Sequence, residues 1–174
     1  KGNTLGVFGL GKQGSQVAGY AKAFGMKVIA WSHNLKQEDC AKTSVEYVSS
    51  TDLFKMSDIL TIHTRLSDRT IGYIDKDNIK LMKKGSVIIN TSRGPIIKEQ
   101  DLIDALNNKV ISCAALDVYD QEPLPREHIL RKTKNLILTP HIGYVSEEAY
   151  EKFFNGYLKA IKAFINKKPI NQVS

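Results

Sequence analysis

The stretch that decides the fold is Leu5-Gly6-Val7-Phe8-Gly9-Leu10-Gly11-Lys12-Gln13-Gly14, close to the start of the chain. An apolar run rich in β-formers ends at Phe8, glycines follow with G-x-G-x-x-G spacing, and residues 13–24 have the pattern of a helix. A strand, a tight glycine turn and a helix in this order are typical of a dinucleotide-binding fingerprint. In that setting Gly9 permits the sharp turn, Gly11 lets a pyrophosphate approach the backbone, and Gly14 lets helix and strand pack closely. Glycine-rich turns also serve only as turns, so the motif alone leaves both interpretations open.

The composition is that of an ordinary globular domain, with 174 residues, 42% hydrophobic and 25% charged. Length alone predicts one domain. The net charge of +7 comes from lysines spread along the chain, without zinc-finger spacing, an RNA-binding aromatic motif or a basic arm. We therefore predict no nucleic-acid partner and no metal site. No apolar run has membrane-spanning length, and the two cysteines lie far apart, which favours a cytoplasmic protein with free thiols.

Apolar strands alternate with helices along the rest of the chain. The pattern predicts strands at 27–31, 45–48, 58–63, 86–90, 110–117 and 136–139, helices at 51–56, 75–82, 98–107 and 146–165, a helix or irregular segment at 35–44, and a loop at 119–134. This alternation predicts an α/β fold, a doubly wound parallel sheet of the Rossmann type with right-handed crossovers. The long final helix has an apolar stripe that predicts packing against a core or another subunit.

Chemically active side chains follow the predicted strands. Ligands of such a sheet bind beyond the carboxyl ends of its strands, so these side chains are expected to share one edge. In chain order they are Ser32, His63-Thr64-Arg65, Thr91-Ser92-Arg93, Asp117 with Glu122 in the following loop, and Pro140-His141.

Each of these residue types suits a step of acid–base chemistry, and each has a structural alternative. Arg93 presents a planar charged fork that holds a carboxylate, or caps a turn. His141 is an acid–base group beside a cleft, or a surface loop residue. Glu122 hydrogen-bonds His141 and favours its proton-donating form, or is a loop carboxylate. Asp117 accepts a hydrogen bond from a nicotinamide carboxamide, or caps a loop. Their joint placement on one edge favours the functional interpretation.

Four segments of the chain resemble the D-specific 2-hydroxyacid dehydrogenases, which include phosphoglycerate, glycerate and formate dehydrogenases. They are Val7-Phe8-Gly9-Leu10-Gly11-Lys12-Gln13-Gly14, Ile89-Asn90-Thr91-Ser92-Arg93-Gly94-Pro95, Ala115-Leu116-Asp117-Val118-Tyr119-Asp120-Gln121-Glu122-Pro123-Leu124-Pro125 and Leu138-Thr139-Pro140-His141-Ile142-Gly143. The resemblance implies hydride transfer between a nicotinamide cofactor and a D-2-hydroxy or 2-keto acid, with Arg93, Glu122 and His141 as the catalytic trio. The cofactor site implied by the strand ends and the resemblance comprises Gly9, Gly11, Lys12, Gln13, Gly14, Ser32, Thr64, Thr91, Ser92, Arg93, Asp117, His141 and Gly143.

Two positions depart from the family pattern. NAD-specific members usually have an aspartate where this chain has Ser32, and its loss removes the repulsion that excludes a 2′-phosphate. His33 and Lys36 are then candidates to receive such a phosphate, but no arginine stands there. NAD and NADP therefore both remain open, with NAD favoured as the family default. The second departure is Arg65, where the family commonly has a proline.

The resemblance also implies a missing part. Family subunits have a cofactor domain and a substrate domain, and we expect residues 1–174 to be the cofactor domain with the family's C-terminal tail, Pro169-Ile170-Asn171-Gln172-Val173, without the amino-terminal substrate domain. The family dimerises through this domain, which implies a homodimer. A non-catalytic dinucleotide sensor resembling a corepressor and an S-adenosylmethionine enzyme are the alternatives. Retention of the Arg, Glu and His trio argues against both.

Overall fold

A seven-stranded parallel sheet forms the centre of the computed structural model, which describes residues 1–172. The order is β3-β2-β1-β4-β5-β6-β7, and every neighbouring pair is parallel. This confirms the predicted doubly wound, Rossmann-type α/β fold. Val173, the last residue of the tail named above, lies outside the described residues, as does Ser174. The strands are β1 (Thr4–Phe8), β2 (Lys27–Trp31), β3 (Glu46–Tyr47), β4 (Ile59–Ile62), β5 (Val87–Asn90), β6 (Cys113–Leu116) and β7 (Leu136–Leu138).

Six α-helices are described, and three of them begin at a residue whose side chain caps the first turn. Ser49 accepts a hydrogen bond from the backbone N–H of Asp52, Asp75 accepts from two backbone N–H groups, and Ser146 accepts from one. Such caps satisfy the free N–H groups of a first helical turn, which explains these starting points. The helices are α1 (Lys12–Ala23), α2 (Gln37–Lys42), α3 (Ser50–Met56), α4 (Lys76–Lys80), α5 (Glu99–Asn107) and α6 (Glu147–Ile165).

Two apolar cores cover the two faces of the sheet. Successive side chains of a strand point to opposite faces, so β1 contributes to both cores. Leu5 and Val7 pack in the core that contains Ala18 and Ala21 of α1. Phe8 packs in the larger core on the other face, which includes side chains of α3, α4 and α5. A strand buried on both faces reads as a continuous apolar run, which is why the strand pattern was visible in the sequence.

The sequence prediction was wrong at the start of β6. The strand begins at Cys113 and not at Val110, because the chain there still closes the end of α5. Lys109 has a left-handed backbone, with φ of 56°, and the N–H of Val110 donates to the carbonyl oxygen of Ala105 over 2.9 Å. The predicted loop 119–134 also contains a short 3₁₀ helix, Ile129–Lys132.

The chain divides into two compact units, the first being Lys1–His141 and the second beginning at Ile142. The sheet lies in the first unit and α6 in the second. No residue of α6 is buried, and Phe154, Tyr157 and Phe164 of its apolar stripe are each more than 60% exposed. Across residues 1–172, no helix is both long enough and apolar enough to cross a membrane.

Candidate functional site

An open cleft of about 900 Å³ lies at the carboxyl ends of β1, β2, β4 and β5. The strand order turns back at this point, because β1 is followed by β2 and β3 on one side and by β4 to β7 on the other. Such a switch point is where doubly wound sheets bind their ligands. The cleft is lined by Gly9, Gly11, Lys12, Gln13, Ser32, Thr64, Ser92 and Arg93 of the predicted cofactor site, and by Leu10, Asn34, Leu35, Asp39, His63, Arg65 and Leu66.

The glycine turn forms the floor of this cleft. Gly9 has φ of +104°, and a Cβ there would lie 2.6 Å from the backbone nitrogen of Thr64. A Cβ on Gly14 would overlap the carbonyl oxygen of Gly9, whereas one on Gly11 would meet nothing within 4 Å. Gly9 and Gly14 therefore serve close backbone packing, and Gly11 leaves open space.

The first turn of α1 faces this open space. Among the described residues, no side chain caps α1, so the N–H groups of its first turn are left to another partner. Uncapped N–H groups and the positive end of the helix dipole bind phosphate. The turn therefore fits the pyrophosphate of a dinucleotide.

Asn90, at the end of β5, shapes the turn that presents Arg93. Its side chain is fully buried, accepts a hydrogen bond from the N–H of Ser92 over 3.0 Å and donates to the carbonyl oxygen of Arg93 over 2.9 Å. The hydroxyl of Ser92 donates to the carbonyl oxygen of Thr64 over 2.5 Å, which joins the loops after β4 and β5. These hydrogen bonds fix the backbone that carries Arg93, and the guanidinium of Arg93 donates to the carbonyl oxygen of Ser92 over 2.6 Å.

Glu122 and His141 form a hydrogen-bonded pair, with 2.5 Å between Oε2 and Nδ1. The backbone N–H of Tyr119 donates to the other carboxylate oxygen over 2.9 Å. Burial alone raises the pKa of the Glu122 carboxyl, but its hydrogen bonds with His141 and Tyr119 outweigh that effect and hold the pKa below its usual value. The positive charge of Arg93 also contributes to lowering this pKa.

Hydrogen bonds join the segments that follow β6 and β7, which carry the Glu122–His141 pair. The hydroxyl of Tyr119 donates to the carbonyl oxygen of Thr139 over 2.7 Å, and the hydroxyl of Thr139 donates to the buried carboxylate of Asp117 over 2.5 Å. His141 follows with a left-handed backbone, φ of 54°, and its N–H donates to Thr139. The imidazole is therefore presented by a rigid corner.

Most of the predicted residues fall into two groups within the first unit. Residues 9–13 of the glycine turn and the loops after β2, β4 and β5 share the cleft, while Asp117, Glu122 and His141 lie at the ends of β6 and β7 and do not line it. Gly14, which is buried, and Thr91, which is exposed, do not line the cleft either. Gly143 belongs to the second unit, so its contact with a cofactor stays a prediction.

Sequence reasoning missed Asp39 as a lining residue, and the sequence carried no signal for it, since the residue lies in the first turn of the short helix α2. It pairs with Lys42 over 3.1 Å. Three cations, Lys12, Arg65 and Arg93, line the cleft against this one carboxylate. The charge balance favours an anionic ligand, and the histidine–glutamate pair with a nearby arginine can orient a carboxylate and exchange a proton.

Proteins of known name resemble this chain in sequence and in fold. The chain is 36% identical over 177 residues to a hydroxypyruvate reductase of Blautia hydrogenotrophica, covering 99% of this chain and 53% of that protein. It is 43% identical over 148 residues to a glyoxylate reductase of Aeropyrum pernix, covering 85% of this chain and 44% of that protein. A crystal structure of D-lactate dehydrogenase from Aquifex aeolicus, complexed with NAD and lactic acid, superposes with a TM-score of 0.84 at 32% identity, covering 95% of this chain and 54% of that one.

The chain therefore spans about half the length of these relatives. The family model described as D-isomer specific 2-hydroxyacid dehydrogenase, NAD binding domain, matches residues 1–143. The resemblance carried by the four sequence segments is thereby confirmed, and the chain belongs to the NAD-binding domain family of the D-isomer specific 2-hydroxyacid dehydrogenases.

Proposed function

We propose that this chain is the cofactor-binding part of an oxidoreductase that transfers a hydride between a nicotinamide dinucleotide and a D-2-hydroxy or 2-keto acid. The observation that carries the proposal is the Glu122–His141 pair, at 2.5 Å, with the charge of Arg93 acting on it. A protein that only senses dinucleotides needs no such arrangement. The relatives named as glyoxylate and hydroxypyruvate reductases support a small 2-keto acid as substrate.

The three side chains have distinct roles in this proposal. When bound, the nicotinamide ring supplies or accepts the hydride at C4. Arg93 holds the substrate carboxylate and polarises its carbonyl oxygen through its planar fork. His141 gives a proton to that oxygen during reduction and takes it back during oxidation. Glu122 acts through His141, because its hydrogen bond to Nδ1 fixes the ring and stabilises the protonated form.

The cofactor is held by the glycine turn and by the loops beside it. The open space at Gly11 and the uncapped start of α1 accept the pyrophosphate, and Thr64 and Ser92 line the path toward Arg93. As the resemblance implies, Asp117 accepts a hydrogen bond from the nicotinamide carboxamide in this proposal. A homodimer follows from the resemblance, and a cytoplasmic location from the free thiols of Cys40 and Cys113.

The proposal is tested first by binding. The 174-residue chain is expected to bind NADH or NADPH saturably in a calorimetric titration, and to turn over 2-keto acids slowly or not at all, because the other wall of the cleft belongs to the rest of the protein. A panel of glyoxylate, hydroxypyruvate and pyruvate with the chain alone and with the full-length protein measures this difference. If the chain bound neither dinucleotide, the proposed function would be contradicted. Robust turnover by the chain alone would contradict the role proposed for a separate substrate domain.

Replacing Glu122 by glutamine is expected to move the alkaline limb of the pH–rate profile for keto acid reduction to lower pH, because the protonated imidazole loses its pairing with a carboxylate. In the unmodified enzyme the pKa of Glu122 lies below its usual value of 4.5, so the carboxylate stays ionised across the neutral and mildly acidic range. The pH dependence of kcat/KM measures the shift. Glu127→Gln is the matched control, because the ion pair that the described residues form with Glu127 is to Lys132, over 3.4 Å, and not to a histidine. An unmoved profile in Glu122→Gln would show that Glu122 does not stabilise the protonated form of His141.

A further inference from the structure

A second lobe, of about 310 Å³, opens beside the cleft at the end of β2. It shares Ser32, Asn34, Thr64, Arg65 and Leu66 with the main cleft, and its remaining lining residues are His33, Ser67, Arg69 and Thr70. The end of the second strand is where the adenosine ribose lies when a dinucleotide binds at the switch point of such a sheet. Among the lining residues that the structure describes, the charged side chains are two arginines, and no carboxylate faces this lobe.

Arg69 reaches this lobe from a distant part of the sequence. Its guanidinium donates to the side-chain oxygen of Asn34 over 3.2 Å, which joins the loop after β4 to the loop after β2. The Arg69 loop is internally fixed, because the buried hydroxyl of Thr70 donates to the carbonyl oxygen of Arg65 over 2.8 Å and accepts from the N–H of Ser67 over 2.8 Å. The arginine that the sequence lacks near Ser32 is thus supplied by the neighbouring loop.

His33 and Lys36 are less suited to hold an anion here. The ring of His33 packs against Trp31 and Tyr73, with centroid distances of 4.9 and 5.1 Å. Burial lowers the pKa of His33, and the charge of Arg69 lowers it further, which favours the uncharged imidazole. Lys36 does not line the lobe.

We propose that the lobe receives the 2′-phosphate of NADP(H), that Arg69 is the residue that binds it, and that Arg65 adds a second positive charge. This inference rests on the proposed dinucleotide site. Ser32 presents a hydroxyl where a carboxylate would repel a phosphate, and a guanidinium fork forms paired hydrogen bonds with phosphate oxygens. A phosphate at this place also neutralises the positive charge of Arg65 and Arg69, since no carboxylate lines the lobe. Arg69 accordingly determines which dinucleotide is preferred.

One carboxylate in the main cleft and one alternative role for Arg69 have to be weighed against this preference for NADPH. Asp39 contributes a carboxylate to the main cleft, but it does not line the lobe and is paired with Lys42. The second is that an arginine at this place can stack on the adenine ring, which NADH and NADPH share. Stacking predicts equal loss of both dinucleotides when Arg69 is replaced, whereas binding of the 2′-phosphate predicts loss of NADPH alone.

The test is a titration of the 174-residue chain with NADH and with NADPH. Trp31 is the single tryptophan of the 174 residues, and its ring lies 4.9 Å from that of His33, which lines the lobe, so quenching of its fluorescence reports occupancy without any turnover. The unmodified chain is expected to bind NADPH at least about tenfold more tightly than NADH. Arg69→Ala is expected to weaken NADPH by about tenfold or more and to leave NADH within about twofold. Arg126→Ala, an exposed arginine outside the lobe, is the matched control and is expected to change neither.

Ser32→Asp is a second test of the preference for NADPH, because it places a carboxylate at the ribose and leaves Arg69 unchanged. It is expected to reverse the preference toward NADH. Equal affinity of the unmodified chain for the two dinucleotides, or a parallel loss of both in Arg69→Ala, would overturn the assignment of Arg69 while leaving the dinucleotide site intact. Failure of the unmodified chain to bind either one would instead overturn the proposed function.

Discussion

Replacement of His141 by glutamine, in an intact enzyme that contains this chain, is expected to lower kcat by about 10²–10⁴-fold while dinucleotide affinity stays within about twofold. Glutamine still offers a hydrogen-bonding group to Glu122, but it cannot exchange a proton at neutral pH. The imidazole does not line the main cleft, so its removal leaves the glycine turn and its neighbouring loops unchanged. Steady-state kinetics with a 2-keto acid measures the first effect, and Trp31 fluorescence with NADH or NADPH the second.

The matched control for this variant is His128→Gln. His128 also faces a glutamate, with 3.6 Å between its Nε2 and Oε1 of Glu99, but it lies in the loop before the 3₁₀ helix and outside the proposed site. Turnover is expected to survive in His128→Gln. Comparable turnover in the two variants would show that His141 is not the acid–base group.

Replacing Gly14 by alanine is expected to destabilise the chain by about 3 kcal/mol and to abolish dinucleotide binding. The added Cβ would overlap the carbonyl oxygen of Gly9 and press on Val7, and backbone atoms cannot turn aside as a flexible side chain does. The helix α1 would have to move away from β1, which displaces the N–H groups that face the pyrophosphate. Urea unfolding followed by Trp31 fluorescence measures the loss of stability.

Gly19 provides the control within the same helix. A Cβ on Gly19 would meet nothing within 4 Å, so Gly19→Ala tests the general effect of replacing a helical glycine without a clash. That variant is expected to be more stable by about 0.5–1 kcal/mol, because alanine loses less backbone entropy in a helix. If Gly14→Ala unfolded at the same urea concentration as Gly19→Ala, the close packing of α1 on β1 would carry no weight in stability.

Sequence patterns predicted the strands and the glycine turn, because both depend on residues that are close together in the chain. Apolar runs buried on both faces marked the strands, and glycine spacing marked the turn at Gly9. The topological rule for parallel sheets also predicted that the loops after β1, β2, β4 and β5 meet, and these loops line the cleft. The short strand β3 and the late start of β6 were harder, because hydrogen bonds between neighbouring elements, and not the residue types, determine where these strands begin and end.

What the sequence did not reveal depends on contacts between loops. Arg69 is far from Ser32 along the chain, and only its hydrogen bond to Asn34 places it beside that residue. The same holds for the support of the site, since buried Asn90 and Tyr119 bond to backbone carbonyl groups that no side-chain pattern marks. Residues that hold others in place are visible only once the loops are folded.

The left-handed backbone of His141 sets stability against the acid–base role that we propose for this residue. A residue with a Cβ is held in this conformation at a cost of about 1–2 kcal/mol relative to glycine, although histidine tolerates it better than branched residues do. Laboratory selection for thermal stability alone therefore favours glycine at position 141, whereas selection for turnover is expected to oppose it. Under the proposed role, a descendant of this chain with glycine at position 141 would gain stability and lose the acid–base group.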